Sequence, residues 1–186
     1  MRIVFIRHGL TAGNLEKRYI GSTDEPLCNE GVVQLRKQTY PPCEVLVSSP
    51  MKRCIQTAEL IYPEQDIEMC DDLRECSFGD FEGKNYKELS GNPDYQRWID
   101  SGGGMQFPNG ESPADFRQRC ASVFEMIVRE FADSGSLAFV VHGGTIMSIL
   151  ETYAVPGRNY YDWYCENGHG YICDWNGSQL HITEKI

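Results

Sequence analysis

Two stretches of this chain share one design, and together they restrict what it can become. In RIVFIRHGLTAGN the apolar run Ile3-Val4-Phe5-Ile6 delivers Arg7 and His8 into Gly9; in SLAFVVHGGT a second apolar run delivers His142 into Gly143. Runs this short and β-branched read as buried strands, and the glycines end them. Both histidines then stand at the carboxyl ends of buried strands. In an open α/β sheet that edge is where ligands bind.

The remaining pattern supports such a sheet. EVLVSSP reads as a further buried strand and DIEMC as a short one, with MKRCIQTAELIY as a helix between them, Ser49 as its cap and Pro50 at its first position. A helix is expected over about Gly31 to Gln38. Another begins after Ser112, where Pro113 and Asp115 complete a capping pattern and Phe116, Cys120, Val123, Phe124, Ile127 and Phe131 form an apolar stripe. GGTIMSILETY continues His142 into a helix. The tail reads as three strands, YDWYCEN, GYICDW and SQLHITE, the last two joined at Asn176-Gly177. Strand, helix, strand alternation predicts one α/β domain over 1–186: a three-layer sandwich with a mostly parallel central sheet flanked by helices. Residues 76–111, rich in glycine, asparagine and aromatics, read as a lid-like insertion with short helices at Tyr86–Leu89 and Pro93–Asp100.

Composition removes several classes of function. A net charge of −10 argues against a nucleic-acid or anionic-membrane surface. No apolar stretch approaches the ~20 residues of a membrane span, and the first residues run directly into a strand instead of a secretory leader, so a cytoplasmic protein is expected. The eight cysteines form no CxxC pair and read as reduced, mostly apolar side chains, not a disulfide set or a zinc site. His169 and His181, in the terminal strands, read as structural.

Parallel strands in one layer bring His8 and His142 to the same edge, with Arg7 beside His8 and Arg53 in the first turns of the helix after VLVSSP. Guanidinium groups match phosphate oxygens in bidentate geometry. Two imidazoles beside two arginines suit a phosphoryl group better than a divalent metal, and no HExxH or metal-spaced carboxylate cluster is present, so neither metal nor cofactor is expected. A neutral imidazole is a competent phosphoryl acceptor. The leaving oxygen still needs a proton. Glu75, in LRECSFG, is the best-placed carboxylate, with Asp72, Asp80 and Glu82 close by in sequence.

The ordered set RHGLTAGN, SSPMKRCIQTA, LRECSFGDFEG, PNGES and VVHGGTI resembles the histidine phosphatase superfamily, with its phosphoglycerate-mutase-like fold, over nearly the whole chain. The resemblance implies His8 as a nucleophile that is phosphorylated in turnover, and Arg7 and Arg53 as clamps on the phosphoryl oxygens. It implies His142 as a third cationic partner and Glu75 as the group that protonates the leaving oxygen and then deprotonates water. Asn14 and the Gly143 N–H become further phosphate contacts. Leu10 departs from the pattern, standing where such proteins often carry Glu or Gln. Within the family, FGDFEGK, YQRWID and PNGES are similar to short bacterial α-ribazole-5′-phosphate phosphatases, which would make the substrate a small phosphorylated molecule. The alternatives are a broad-specificity phosphatase or mutase acting on phosphorylated sugars and glycerates, and a catalytically silent phosphate-binding module.

Overall fold

The computed structural model describes residues 1–186. Its frame is one seven-stranded sheet in the order β3-β2-β4-β1-β6-β7-β5. The strands are β1 (Arg2–Arg7), β2 (Val45–Ser48), β3 (Ile67–Met69), β4 (Ser136–Val141), β5 (Ala154–Val155), β6 (Gly170–Trp175) and β7 (Leu180–Lys185). The first four in sheet order are parallel, and β6 joins β1 antiparallel and makes an antiparallel hairpin with β7. The two-residue β5, which has too little sequence to carry a periodic signal, pairs parallel with β7.

Six helices complete the chain: α1 (Ala12–Leu15), α2 (Asn29–Leu35), α3 (Lys52–Ile61), α4 (Pro93–Asp100), α5 (Pro113–Glu130) and α6 (Gly143–Tyr153). The two central strands are apolar on both faces, as their sequences require. Ile3, Phe5, Leu137, Phe139 and Val141 enter one core with α5 and α6, while Val4, Ile6, Ala138 and Val140 enter a second with α3. Each such buried Val, Leu, Ile or Phe side chain contributes about 1.5–3 kcal/mol relative to exposure. No helix is long and apolar enough to cross a membrane. None of the eight cysteines is in a disulfide, and Cys43, Cys54, Cys76, Cys120, Cys165 and Cys173 are buried.

Four local expectations are corrected. Met51, not Ser49, is the N-cap residue of α3, with Pro50 outside the helix; its side chain makes no cap bond, and Ser49 is turned to other work described below. Tyr86–Leu89 is a run of turns, because the carboxylate of Glu88 and the amide oxygen of Asn85 take the local N–H groups. The helix expected from Gly31 begins at Asn29, where the Cys28 sulfur accepts from the Gly31 N–H, and stops at Leu35. YDWYCEN is not a strand. It forms a 3-10 turn over Tyr160–Trp163 and then irregular chain, the Asp162 carboxylate accepting the Asn159 N–H and Trp163 and Cys165 turned into the core. Its alternating apolar pattern reflects burial under a bend, not a pleat.

Residues 76–111 pack around an aromatic cluster. Phe81 meets Tyr95, Trp98 and Phe107, and Tyr19 enters from the first loop against Phe78, Tyr95 and Trp98.

Candidate active site

Strand register assembles the centre. Arg7 of β1 pairs with Val141 of β4, and the His8 N–H donates to the Val141 carbonyl at 2.9 Å. The next residue on each strand is a histidine, and the two rings lie 5.3 Å apart edge to face. Strand β2 lies on the other side of β4, with the Ser49 N–H donating to Val140 O at 3.2 Å. The chain then turns into α3 and carries Arg53 to the same edge. Arg53 is fully buried, His142 likewise, and His8 is 4% exposed.

The hydrogen bonds define the state of His8. Its Nδ1 lies 2.7 Å from the Gly9 carbonyl, which can only accept, so Nδ1 carries the proton and the lone pair of the neutral ring is on Nε2. Burial, then the charges of Arg53 and Arg7, hold its pKa well below the ordinary imidazole value, and these effects outweigh the Gly9 bond. Gly9 is itself held, its N–H donating to Thr57 Oγ1 at 3.0 Å, while Asn167 Nδ2 donates to His8 O at 3.0 Å.

His142 Nε2 lies 2.8 Å from Ser49 Oγ, with Cys54 Sγ 3.5 Å away. Its pKa is also well below the ordinary value, through burial first, then Arg53, His8 and Arg7. Burial of both rings and the charges of the two guanidiniums thus oppose a proton on His142, which the sequence reading takes as a third cationic partner. Spacing alone cannot show this, because the depression comes from burial and from charges brought in by other strands.

Arg7 donates through Nη1 to Cys165 O at 2.8 Å, and Arg53 through Nη1 and Nη2 to the carbonyls of Thr23 and Gly21 at 2.7 and 2.8 Å. The Nε of each is buried without a protein partner. Two buried, oriented N–H donors on permanent cations are the chemistry of an oxyanion site.

Glu75 reaches this centre from the irregular chain after β3. Its Oε2 accepts the Gly144 N–H and its Oε1 the Cys76 N–H, each at 3.0 Å. Burial pushes its pKa up, against the lowering effect of those two N–H groups and of Arg53 and Arg7. The competing carboxylates are occupied elsewhere. Glu82 grips the loop that binds Arg53, accepting from the N–H groups of Gly21, Ser22 and Phe78. Asp80 accepts from Asn109, and Asp72 is exposed.

Gly143 opens α6 next to Arg7, where the helix N-terminus adds backbone donors. Asn14 serves the local backbone: its Oδ1 accepts from the Thr11 N–H at 3.3 Å and from Asn167 Nδ2 at 3.1 Å. Asn167 thus ties Asn14 to the His8 carbonyl, and it carries no signal in sequence, lying far away in the tail. Thr57 is equally silent, and Ser49 and Gly144 lie inside motifs that give no sign of their contacts with His142 and Glu75. His169 and His181 pair with Gln38 and Asn176.

Beside Glu75 lies a cavity of about 240 Å³ reaching Arg7, Gly143 and Gly144. Its walls are largely aromatic, including Tyr19, Phe78, Trp98, Phe107, Tyr160 and Tyr164. Arg117 is the one further cation on the wall; it bonds Glu151 at 3.1 Å and stacks over the Tyr160 ring at 4.0 Å. No three of the His, Cys, Asp and Glu side chains converge as a metal site.

Comparison with known proteins follows the same lines. The family model for the histidine phosphatase superfamily (branch 1) matches residues 3–185. A 2,3-bisphosphoglycerate-dependent phosphoglycerate mutase 2 of Gloeobacter violaceus is 32% identical over 161 residues, covering 80% of this chain and 73% of its own. An adenosylcobalamin/α-ribazole phosphatase of Salmonella typhimurium is 25% identical over 177 residues, covering 90% and 87%. Among solved structures, the α-ribazole phosphatase of Shigella flexneri superposes with a TM-score of 0.86 at 23% identity, covering all of this chain and 96% of that one, a likeness of fold.

Proposed function

The chain belongs to the histidine phosphatase superfamily, and on that premise we propose that it hydrolyses phosphate monoesters through a phosphohistidine intermediate on His8. The observation that carries the reading is the pairing of a buried His8, its pKa lowered and its Nε2 lone pair free, with two guanidiniums, Arg53 buried and Arg7 partly so, whose buried Nε donors lack partners. The phosphoryl oxygens bind the N–H groups of Arg7 and Arg53 and the N-terminus of α6, near Gly143. A dianion there raises the pKa of both imidazoles, so His142 becomes the third cation only with substrate bound. Nε2 of His8 attacks phosphorus in line as the ester P–O bond breaks, and the proton held by Glu75 passes to the leaving oxygen. Water then gives its proton to the Glu75 carboxylate and attacks the phosphohistidine. The P–N bond breaks with its electron pair returning to Nε2, and phosphate leaves. No step requires a metal or cofactor.

The aromatic cavity beside Glu75 favours a leaving group with a flat ring. Together with the similarity to α-ribazole phosphatases, this supports α-ribazole 5′-phosphate, a small cytoplasmic metabolite, as the substrate, with residues 76–111 covering it as a lid. The Gloeobacter relative favours the second reading, a phosphoglycerate mutase or a broad phosphatase. Against it, the one further cation on the cavity wall, Arg117, is already committed to Glu151. A silent phosphate-binding module has no use for a buried carboxyl group, its pKa raised by that burial, beside the phosphoryl site.

The test is hydrolysis of α-ribazole 5′-phosphate, para-nitrophenyl phosphate and 3-phosphoglycerate with chelator present, by the parent protein and by His8→Ala. Turnover in the parent alone, fastest on the first substrate, is expected. Full activity in His8→Ala overturns the mechanism. Equal turnover of all three substrates selects the broad phosphatase, and a 2,3-bisphosphoglycerate requirement selects the mutase.

A further inference from the structure

The chain that carries Glu75 has no regular structure from Arg74 to Phe78, yet an acid must be held in place to work. One side chain of α5 spans this stretch. Arg119 Nη1 donates to the carbonyls of Asp72 and Arg74, at 2.6 and 3.1 Å. Its Nε and Nη2 face the Glu111 carboxylate at 2.9–3.0 Å. Glu111 completes the span: its N–H donates to Ser77 O at 2.9 Å, and its Oε2 accepts the Ser77 N–H at 3.4 Å. The guanidinium therefore uses all three of its nitrogens on one task, clasping the chain before Glu75 directly and the chain after it through Glu111. The pair is only about a quarter exposed, so water competes weakly for these bonds.

We propose that Arg119 and Glu111 are positioning residues for Glu75: the pair sets where the carboxyl group stands against the leaving oxygen, without touching substrate. The inference rests on Glu75 acting as the acid in the reading above. Lysine cannot replace the fork, because an ammonium offers no planar pair of donors to two carbonyls and a carboxylate at once.

Leaving-group dependence separates a positioning role from a merely structural one. An acid matters for an alkyl phosphate, whose alkoxide is a poor leaving group, and little for para-nitrophenyl phosphate, whose phenolate departs unaided. The experiment measures kcat/KM, which reports phosphoryl transfer to His8, on glycerol 1-phosphate and para-nitrophenyl phosphate for the parent, Arg119→Lys, Glu111→Gln and Glu75→Gln. Thermal unfolding and circular dichroism are recorded for each. Both brace variants are expected to lose about 10- to 100-fold on the alkyl phosphate and under about threefold on the activated ester. Glu75→Gln is expected to show the same selectivity, more strongly. Equal losses on both substrates in folded brace variants, or no loss, overturn the proposal while a selective Glu75→Gln leaves the acid assignment standing. A non-selective Glu75→Gln overturns the acid itself, and the brace with it. Should Arg119→Lys fail to fold, Glu111→Gln, which keeps the side-chain shape, decides the matter.

Discussion

Replacing Gly144 by alanine tests the site without removing any group that does chemistry. Gly144 sits in the first turn of α6, and a methyl there would stand 2.3 Å from Glu75 Oε1. It cannot turn away, because the Phe116 ring lies 3.0 Å off. The carboxylate must retreat by about 1 Å to reach ordinary contact, and a misplacement of that size costs on the order of 100-fold in rate. The bond from the Gly144 N–H to Oε2 is stretched by the same movement. Folding suffers less: crowding costs about 1–3 kcal/mol, partly offset by the roughly 0.5–1 kcal/mol that alanine gains over glycine within a helix. The expected result is a folded protein with a modestly lowered melting temperature. Its kcat/KM should fall about 100-fold on an alkyl phosphate and much less on para-nitrophenyl phosphate. Gly143→Ala is the control; its methyl would meet Arg7 at 3.3 Å, a gap that a small shift relieves, so a loss of only a few-fold is expected. If Gly144→Ala retains alkyl phosphate turnover within about twofold, Glu75 is not the acid held by α6 and the reasoning fails.

Two further outcomes follow from the buried ionisable groups. Burial alone would raise the pKa of Glu82, but the N–H groups of Phe78, Ser22 and Gly21 and the Thr23 hydroxyl outweigh it and hold it below the ordinary range. Its stabilisation is complete above the unfolded carboxylate value of about 4.3 and is lost as pH falls through the lower folded value. Glu82→Gln is therefore expected to cost roughly 3 kcal/mol at neutral pH in urea unfolding and to flatten the acid dependence of stability; an unchanged midpoint would refute the loop-gripping role. His8 and His142 have lowered folded pKa values, so the unfolded chain takes up protons first and stability declines as pH drops below about 6.5. Imidazole C–H signals in NMR should titrate well below that value in the free protein and move upward with inorganic phosphate. A His8 titration at or above 6.5 without phosphate would show that it is not held neutral.

Much of this protein is determined locally. Runs such as IVFI and AFVV are short, apolar on successive residues and rich in β-branched side chains, so they read as strands covered on both faces, with a glycine soon after each. With two strands parallel in one layer, the residues after them share an edge, and Arg7, His8, Arg53, His142 and Glu75 were all legible as one constellation. The cap of α5 was legible too, because Ser112 acts on the Asp115 N–H group only three residues away. What sequence could not decide is whatever depends on partners distant along the chain. The register of β1 against β4 sets the ring separation, and burial beside two guanidiniums lowers the pKa of His142. Asn167 reaches His8 from 159 residues away, and Arg119 reaches Asp72 across 47. YDWYCEN misled for the same reason. Its apolar residues face a core built by other segments, and a short polypeptide carries in its own pattern the fact of burial but not the shape of what buries it.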